Sequence, residues 1–189
     1  MGEEKTVSEA GQTELLKIAR QVVEAAARER PDPDIRPELP ELERPLGAFV
    51  TLHQRGRLRG CIGTFLPHKP VWQVVMDMAR SAATRDPRFL PVAEVELDDI
   101  DVEISVLSPL EKTDDPLSLE LGVHGIYIRR GQRSGTFLPQ VATEHHMSKE
   151  EFLSSCCAHK AGLPPDGWKD PETEVYLYTA QVFGEKKPE

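Results

Sequence analysis

Apolar residues recur every three to four positions in three stretches, which is the pattern of helices with one buried side. The stretches run from Thr13 to Arg28, from Pro70 to Thr84 and from Ser148 to about Gly162. Ser148 and Glu151 have the spacing of a capping box, so the third helix has a defined start. The pattern therefore predicts three amphipathic helices.

Alternation of apolar and polar residues predicts the strands. The clearest case is "DIDVEISVLSP", where Ile100 to Val106 alternate with acidic residues and Ser105, so one sheet face is buried and the other polar. Two hairpins are predicted, one from "GAFVTLH" and "LRGCIG" and one within "HGIYIRRGQRSGTFLP". "EVYLYTAQVF", residues 174–183, is the last predicted strand.

The order of these elements predicts the fold class. Hairpins imply antiparallel pairing, so we expect an α+β fold with mainly antiparallel sheet built from hairpins and with flanking helices. The length of 189 residues suits one domain. We place that domain at residues 12–184 and expect residues 1–11 and 185–189 to be flexible ends.

Charge and cysteine content narrow the function classes. The 23 basic and 32 acidic residues give a net charge of −9, which disfavours nucleic acid and anionic membranes as partners. Arginines near two predicted turns, at 55, 57 and 59 and at 129, 130 and 133, could still bind nucleic acid locally. Three cysteines cannot all pair, and no membrane-spanning stretch or leader pattern is visible, so we expect a cytoplasmic protein with reduced thiols. Without a nucleotide or metal motif, we expect no cofactor and no bound metal.

Cys61 is the strongest candidate for a chemically reactive residue. Strand alternation places Arg57, Arg59 and Cys61 on one face and Leu58, Gly60 and Ile62 on the other. A guanidinium beside a thiol stabilises the thiolate, so Arg59 would activate Cys61. A proton acceptor could be His53, His124 or Glu103.

A structural interpretation of the cysteines stays open beside the chemical one. A free cysteine is often a small buried hydrophobic residue, and Cys61 fits that description too. Cys156 and Cys157 fall on the apolar stripe of the third predicted helix, so we expect both in the core.

Several strings together resemble one family. These are "LRGCIGTF", "AATRDPRF", "IDVEISVLSP", "HGIYIRRGQRSGTFLPQVA" and "FLSSCCAHKAGL". They resemble the AMMECR domain family, and the resemblance extends from about Leu15 to Phe183. In bacteria and archaea, that family is the protein A component of the AmmeMemoRadiSam system.

The resemblance implies an architecture and a set of site residues. It implies a larger lobe of antiparallel sheet with helices, a smaller sheeted lobe, and a cleft between them. Four matching residues are expected catalytic groups: Cys61, Arg59, Glu103 and His124. Six more are expected to bind a ligand: Arg85, Asp86, Arg88, Ser105, Thr136 and Gln140.

The resemblance also implies partners, namely a Memo-like protein and a radical SAM protein. We therefore expect an accessory or binding protein that uses a cleft containing Cys61 to dock such a partner or a small anionic ligand. The alternative is a thiol-dependent enzyme with Cys61 as nucleophile, and whether the chain is an enzyme stays open. A weaker alternative is a regulatory protein associated with nucleic acid.

Overall fold

A computed structural model describes residues 6–65 and 67–185 of the chain. Within these residues the chain forms two compact units. The first unit contains the residues up to Leu107 and those from Gln181 onward, and the second is Ser108–Ala180. Residues 1–5 and 186–189 of the expected flexible ends lie outside the described residues. Both units contain antiparallel strands and helices, so the predicted α+β class is confirmed.

Helices and strands follow one another in an order close to the predicted one. The helices of the described residues are α1 (Glu9–Ala27), α2 (Val71–Thr84), α3 (Pro139–Glu144) and α4 (Lys149–Cys156). The strands are β1 (Ala48–Gln54), β2 (Arg57–Thr64), β3 (Ile100–Leu107), β4 (Glu111–Thr113), β5 (His124–Arg130), β6 (Arg133–Phe137) and β7 (Glu174–Gly184). None of these helices is both long and apolar enough to cross a membrane.

The first unit packs two helices against one face of a sheet. Its strands pair in the antiparallel order β2–β1–β3, and β2 forms the edge. The face toward α1 and α2 is apolar, and its buried strand residues are Ala48, Val50, Leu52, Val102, Ile104 and Val106. Helix α2 approaches β2 so closely that a Cβ atom on Gly60 would lie 2.3 Å from the carbonyl oxygen of Ala82. Only glycine fits at that position.

The second unit has its own sheet and core. Its strands pair in the antiparallel order β4–β7–β5–β6. Helix α4 packs on this sheet through Phe152, whose ring lies 5.5 Å from that of Phe137. A π-helical turn, Cys157–Ala161, continues the helix, and Gly162 ends it in the left-handed conformation, with φ of 63°.

The structure refines several predicted boundaries. Helix α1 starts at Glu9 rather than Thr13, because the Ser8 hydroxyl caps it by accepting the N–H of Gly11 at 3.1 Å. The capping box of α4 is confirmed: the Ser148 N–H donates to the Glu151 carboxylate at 2.8 Å. Strand β4 and helix α3 were not predicted, since stretches of three and six residues carry little periodicity.

Candidate functional site

Strand β2 contains a bulge that changes which residues share a face. Leu52 of β1 pairs with Gly60, but the next residue, His53, pairs with Leu58, so Arg59 is the extra residue. Paired residues of antiparallel strands point to the same side. Leu58 therefore shares the face of Cys61, and the predicted grouping of Leu58 with Gly60 is wrong. A bulge leaves no mark in simple alternation, which is why the sequence did not reveal it.

The sheet places Cys61 and Glu103 in one row on the side opposite the helices. Thr51 of β1 pairs with Cys61 on one side and with Glu103 on the other. His53 pairs in the same way with Asp101, one row along. We call this surface the Cys61 face, and its residues are Phe49, Thr51, His53, Leu58, Cys61, Gly63, Asp101, Glu103 and Ser105. Most of these side chains are half-buried, whereas Ser105 is buried and Leu58 is exposed.

The Cys61 thiol has a hydroxyl as its neighbour. The Thr51 Oγ1–H donates to the Cys61 Sγ at 3.2 Å, and this is the hydrogen bond to the sulfur found among the described residues. Glu103 lies two strands from Cys61, a Cα separation of roughly 10 Å. Glu103 is therefore in the same row as the thiol but outside direct hydrogen-bonding reach of its backbone position.

An aspartate and an arginine hold the Cys61 backbone where a further strand would otherwise pair. The Cys61 N–H donates to Asp86 Oδ2 at 2.9 Å, and the Arg88 guanidinium reaches the Cys61 carbonyl oxygen at 3.5 Å. Because this N–H points away from β1, Cys61 and Thr51 form the narrow type of antiparallel pair, in which side chains are closest. The Asp86–Arg88 pair thus occupies the sheet edge and fixes the position of the thiol.

The Asp86 carboxylate is stabilised in its ionised form. Its side chain is buried, and the Arg88 guanidinium donates to both of its oxygens, at 2.9 and 2.7 Å. These hydrogen bonds hold the pKa of Asp86 well below its usual range, and the backbone N–H groups of Cys61 and Arg88 add to the effect. Asp86, predicted as a ligand-binding residue, therefore has intramolecular partners on both oxygens.

Arg59 lies against a glutamate instead of the thiol. Its guanidinium donates to both oxygens of Glu96 at 2.9 Å and also to the Leu90 carbonyl oxygen at 2.9 Å. These hydrogen bonds lower the pKa of Glu96. The charge expected to stabilise a Cys61 thiolate is thus compensated by a carboxylate.

Three predicted site residues belong to the second unit. The His124 ring accepts the Glu120 N–H at Nδ1, at 2.9 Å. Thr136 donates from Oγ1 to the Ile126 carbonyl oxygen at 2.8 Å and lies 3.0 Å from the Tyr178 hydroxyl. Gln140 lies in α3, where its carbonyl oxygen accepts the Thr143 hydroxyl. The expected approach of His124 to Cys61 stays a prediction.

Most arginines of the two basic groups have acidic partners. Arg55 pairs with Asp99 at 2.7 Å, and Arg129 pairs with Glu174 at 2.6 Å. The remaining predicted binding residue, Arg85, is exposed at the end of α2. Paired guanidinium groups offer less to a phosphate backbone, so the hairpins provide limited support for nucleic-acid binding.

The described residues contain no group of three or more His, Cys, Asp or Glu side chains arranged to hold a metal ion. What the Cys61 face offers is a thiol, a hydroxyl, an imidazole and carboxylates in adjacent rows. Such a surface can donate and accept hydrogen bonds and can attract a basic partner.

Comparisons with known proteins agree with the sequence resemblance. The AMMECR1 family model matches residues 16–183. A protein of Methanothermobacter thermautotrophicus is 48% identical over 178 residues, which covers 90% of this chain and 92% of that protein. Protein MK0488 of Methanopyrus kandleri is 42% identical and covers 100% of this chain and 94% of its own length.

A solved structure shares the fold. The crystal structure of the uncharacterized protein PH0010 from Pyrococcus horikoshii superposes with a TM-score of 0.86 at 36% sequence identity. The match covers 97% of this chain and 95% of that one. Together with the family model, these similarities show that the chain belongs to the AMMECR1 family.

Proposed function

We propose that this protein is a cytoplasmic accessory protein that binds a protein partner through the Cys61 face, within the cleft that the family resemblance implies. The partner would be a Memo-like protein or a radical SAM protein. The observation that carries the proposal is the polar row of Cys61, Thr51 and Glu103 on a half-buried sheet face, which also carries the apolar side chains of Phe49 and Leu58. The Asp86 carboxylate, which accepts the Cys61 N–H at the sheet edge, keeps this row in a fixed position.

The surroundings of the thiol favour binding over catalysis. Nucleophilic thiols act beside a base or a free cation. Here the sulfur accepts a hydrogen bond from Thr51, while the guanidinium of Arg59 is held by Glu96. The Cys61 face therefore resembles a recognition surface more than an assembled catalytic set.

The charged residues of the Cys61 face indicate which charge the contact surface of the partner should carry. Glu103 and Asp101 place two carboxylates on adjacent rows of β3. A basic side chain on the partner would pair with Glu103, and such contacts steer association and set specificity. We therefore expect a protein partner with a basic contact surface, and a small anionic ligand is the less favoured occupant.

The proposal is tested by titrating the purified chain with the Memo-like and radical SAM proteins of the same organism in a calorimeter. Glu103→Lys should weaken binding at least about tenfold, since like charges across an interface repel. Asp98→Lys is the matched control, because Asp98 is an exposed carboxylate of the same unit outside the Cys61 face. Failure of both partners to bind, or equal weakening by the two variants, would contradict the proposal.

A thiol-dependent enzyme is the second candidate, because the Thr51 hydroxyl at 3.2 Å would also stabilise a negative charge on the Cys61 sulfur. Cys61→Ser distinguishes the two functions: it retains a hydrogen-bonding group of similar shape but loses thiol chemistry. We expect Cys61→Ser to bind the partner as the wild type does. Loss of the protein's cellular function in this variant, with the fold and partner binding intact, would favour the enzyme.

A further inference from the structure

The second unit contains a polar pocket that the proposed function does not use. Its volume is about 430 Å³, in the range of small-molecule sites. The pocket lies over β7, and its walls come from β4, from the start of β5 and from the loop after β4. Its polar lining residues include Glu111, Thr113, Ser118, His124 and Thr179.

Strand register places Glu111 and His124 on the same side of the sheet. Glu111 pairs with Leu177 of β7, and His124 pairs with Thr179. Leu177 and Thr179 are two residues apart, so all four side chains share one face. Glu111 and His124 stand on opposite sides of β7, with Cα atoms roughly 12 Å apart. Their side chains can therefore contact two ends of one small ligand.

The hydrogen-bonding groups of this pocket fit a ligand that both donates and accepts. His124 Nδ1 accepts the Glu120 N–H, so the ring proton lies on Nε2, which has no partner among the described residues and needs an acceptor. The exposed Glu111 carboxylate, also without a partner among them, can only accept, so a ligand bound there would have to donate to it. The hydroxyls of Thr113 and Ser118 already donate to the Asp115 carbonyl oxygen, at 2.9 and 2.7 Å, so they can only accept from a ligand. The Thr179 hydroxyl can donate and accept.

Charge separates the classes of ligand that could meet these demands. Lys112 follows Glu111 in β4, so its side chain points to the opposite face of the sheet, where its ammonium pairs with Glu174 at 3.2 Å. Glu111 is therefore the charged group on the pocket's side of the sheet. An anion would satisfy His124 but would be repelled by Glu111. A cation would satisfy Glu111 but leave the His124 Nε2–H without an acceptor. A hydroxyl group satisfies both.

We propose that this pocket binds a small neutral polyol, a sugar or ribose-like ring, with Glu111 accepting from its hydroxyls and His124 donating to another. This is a second site, in a different unit from the Cys61 face, and it does not depend on the proposed function. Carboxylates recognise adjacent hydroxyls of ribose in the same manner in other folds.

The test follows the imidazole signal of His124 by NMR in the full chain, assigned with His124→Gln, during titration with D-ribose and with myo-inositol. We expect a saturable shift with at least one of these polyols. Glu111→Gln should weaken that binding about tenfold, because a charge-assisted hydrogen bond is lost. Glu150→Gln, an exposed glutamate of the same unit outside the pocket, should leave it unchanged.

Controls decide between the ligand classes. Inorganic phosphate and methylammonium, titrated in the same way, should give no saturable shift. Thr179→Ala is a second variant at the pocket and should also weaken the polyol response. The absence of a shift with both polyols, an unchanged affinity in Glu111→Gln, or saturation by phosphate or methylammonium would each overturn the proposal.

Discussion

Cys61 and Cys156 are held in place by opposite kinds of surroundings. Cys61 is half-buried on a sheet edge, where Asp86 binds its N–H and Thr51 donates to its sulfur. Cys156 is completely buried in the second core beside Cys157, among Phe152 and other apolar side chains. Burial raises the pKa of the Cys156 and Cys157 thiols, so both stay protonated.

The difference shows that polar contacts, rather than packing, define the surroundings of Cys61. The Cys61 backbone is held by Asp86 and Arg88, and its sulfur accepts a hydrogen bond from the Thr51 hydroxyl. Cys156, in contrast, behaves as a small hydrophobic residue. Substitutions at one cysteine site at a time test this difference.

The largest effect is expected from Asp86→Ala. The substitution leaves the Cys61 N–H and the Arg88 guanidinium without their acceptor, so the free energy of unfolding should fall by about 3 kcal/mol. Urea unfolding followed by circular dichroism measures the loss. Asp98→Ala, at an exposed aspartate, is the control and should change the stability little. An equal loss in both variants would mean that Asp86 does not anchor the sheet edge.

Cys156→Ser should have the next largest effect. It places a hydroxyl in an apolar core, which costs about 2 kcal/mol where the group finds no good partner. The same unfolding experiment measures it. A neutral result would show that this core tolerates polar groups, and the contrast with Cys61 would then disappear.

Acid should remove part of the stabilisation that Asp86 provides. Because the folded-state pKa of Asp86 lies below its ordinary value of 3.8, its contribution is complete above that pH and is lost as the pH falls through the lower folded-state value. Asp86→Asn lacks this titration. The difference in unfolding free energy between wild type and Asp86→Asn should therefore shrink on acidification below 3.8. A difference that is independent of pH would contradict the role of the Asp86 charge.

The smallest effect is expected from Cys61→Ser. The side chain is half-buried, and serine keeps the hydrogen bond with Thr51, so the free energy of unfolding should change by less than about 1 kcal/mol. Comparison with Cys156→Ser in the same denaturant series sharpens the contrast. A larger loss at Cys61 than at Cys156 would reverse the interpretation of the two sites.

Local patterns predicted much of the fold. The alternation in β3 correctly assigned its buried face, and the capping box at Ser148 and the stop at Gly162 are as expected. These features depend on residues a few positions apart, whose effect on structure is direct. The bulge at Arg59 was not predicted, because alternation within one strand does not show how that strand pairs with its neighbour.

The site was harder to predict than the fold, since its contacts join residues far apart in the chain. Arg59 was assigned to the thiol because the two are neighbours in β2, but its partner is Glu96, 37 positions away. One local signal did point to Asp86. An aspartate two residues before Arg88, with proline between them, favours a turn in which the carboxylate accepts the later N–H, and that bond is present at 3.1 Å.

The most direct test of the account measures alkylation of each cysteine by iodoacetamide in the native protein, read by peptide mass mapping, with and without the proposed Memo-like or radical SAM partner. The account predicts that Cys61 reacts while Cys156 and Cys157 do not until the fold is denatured, and that one of the partners slows the reaction at Cys61. A Cys61 that is as protected as Cys156 in the free chain, or whose rate neither partner changes, would contradict the claim that the Cys61 face is a binding surface.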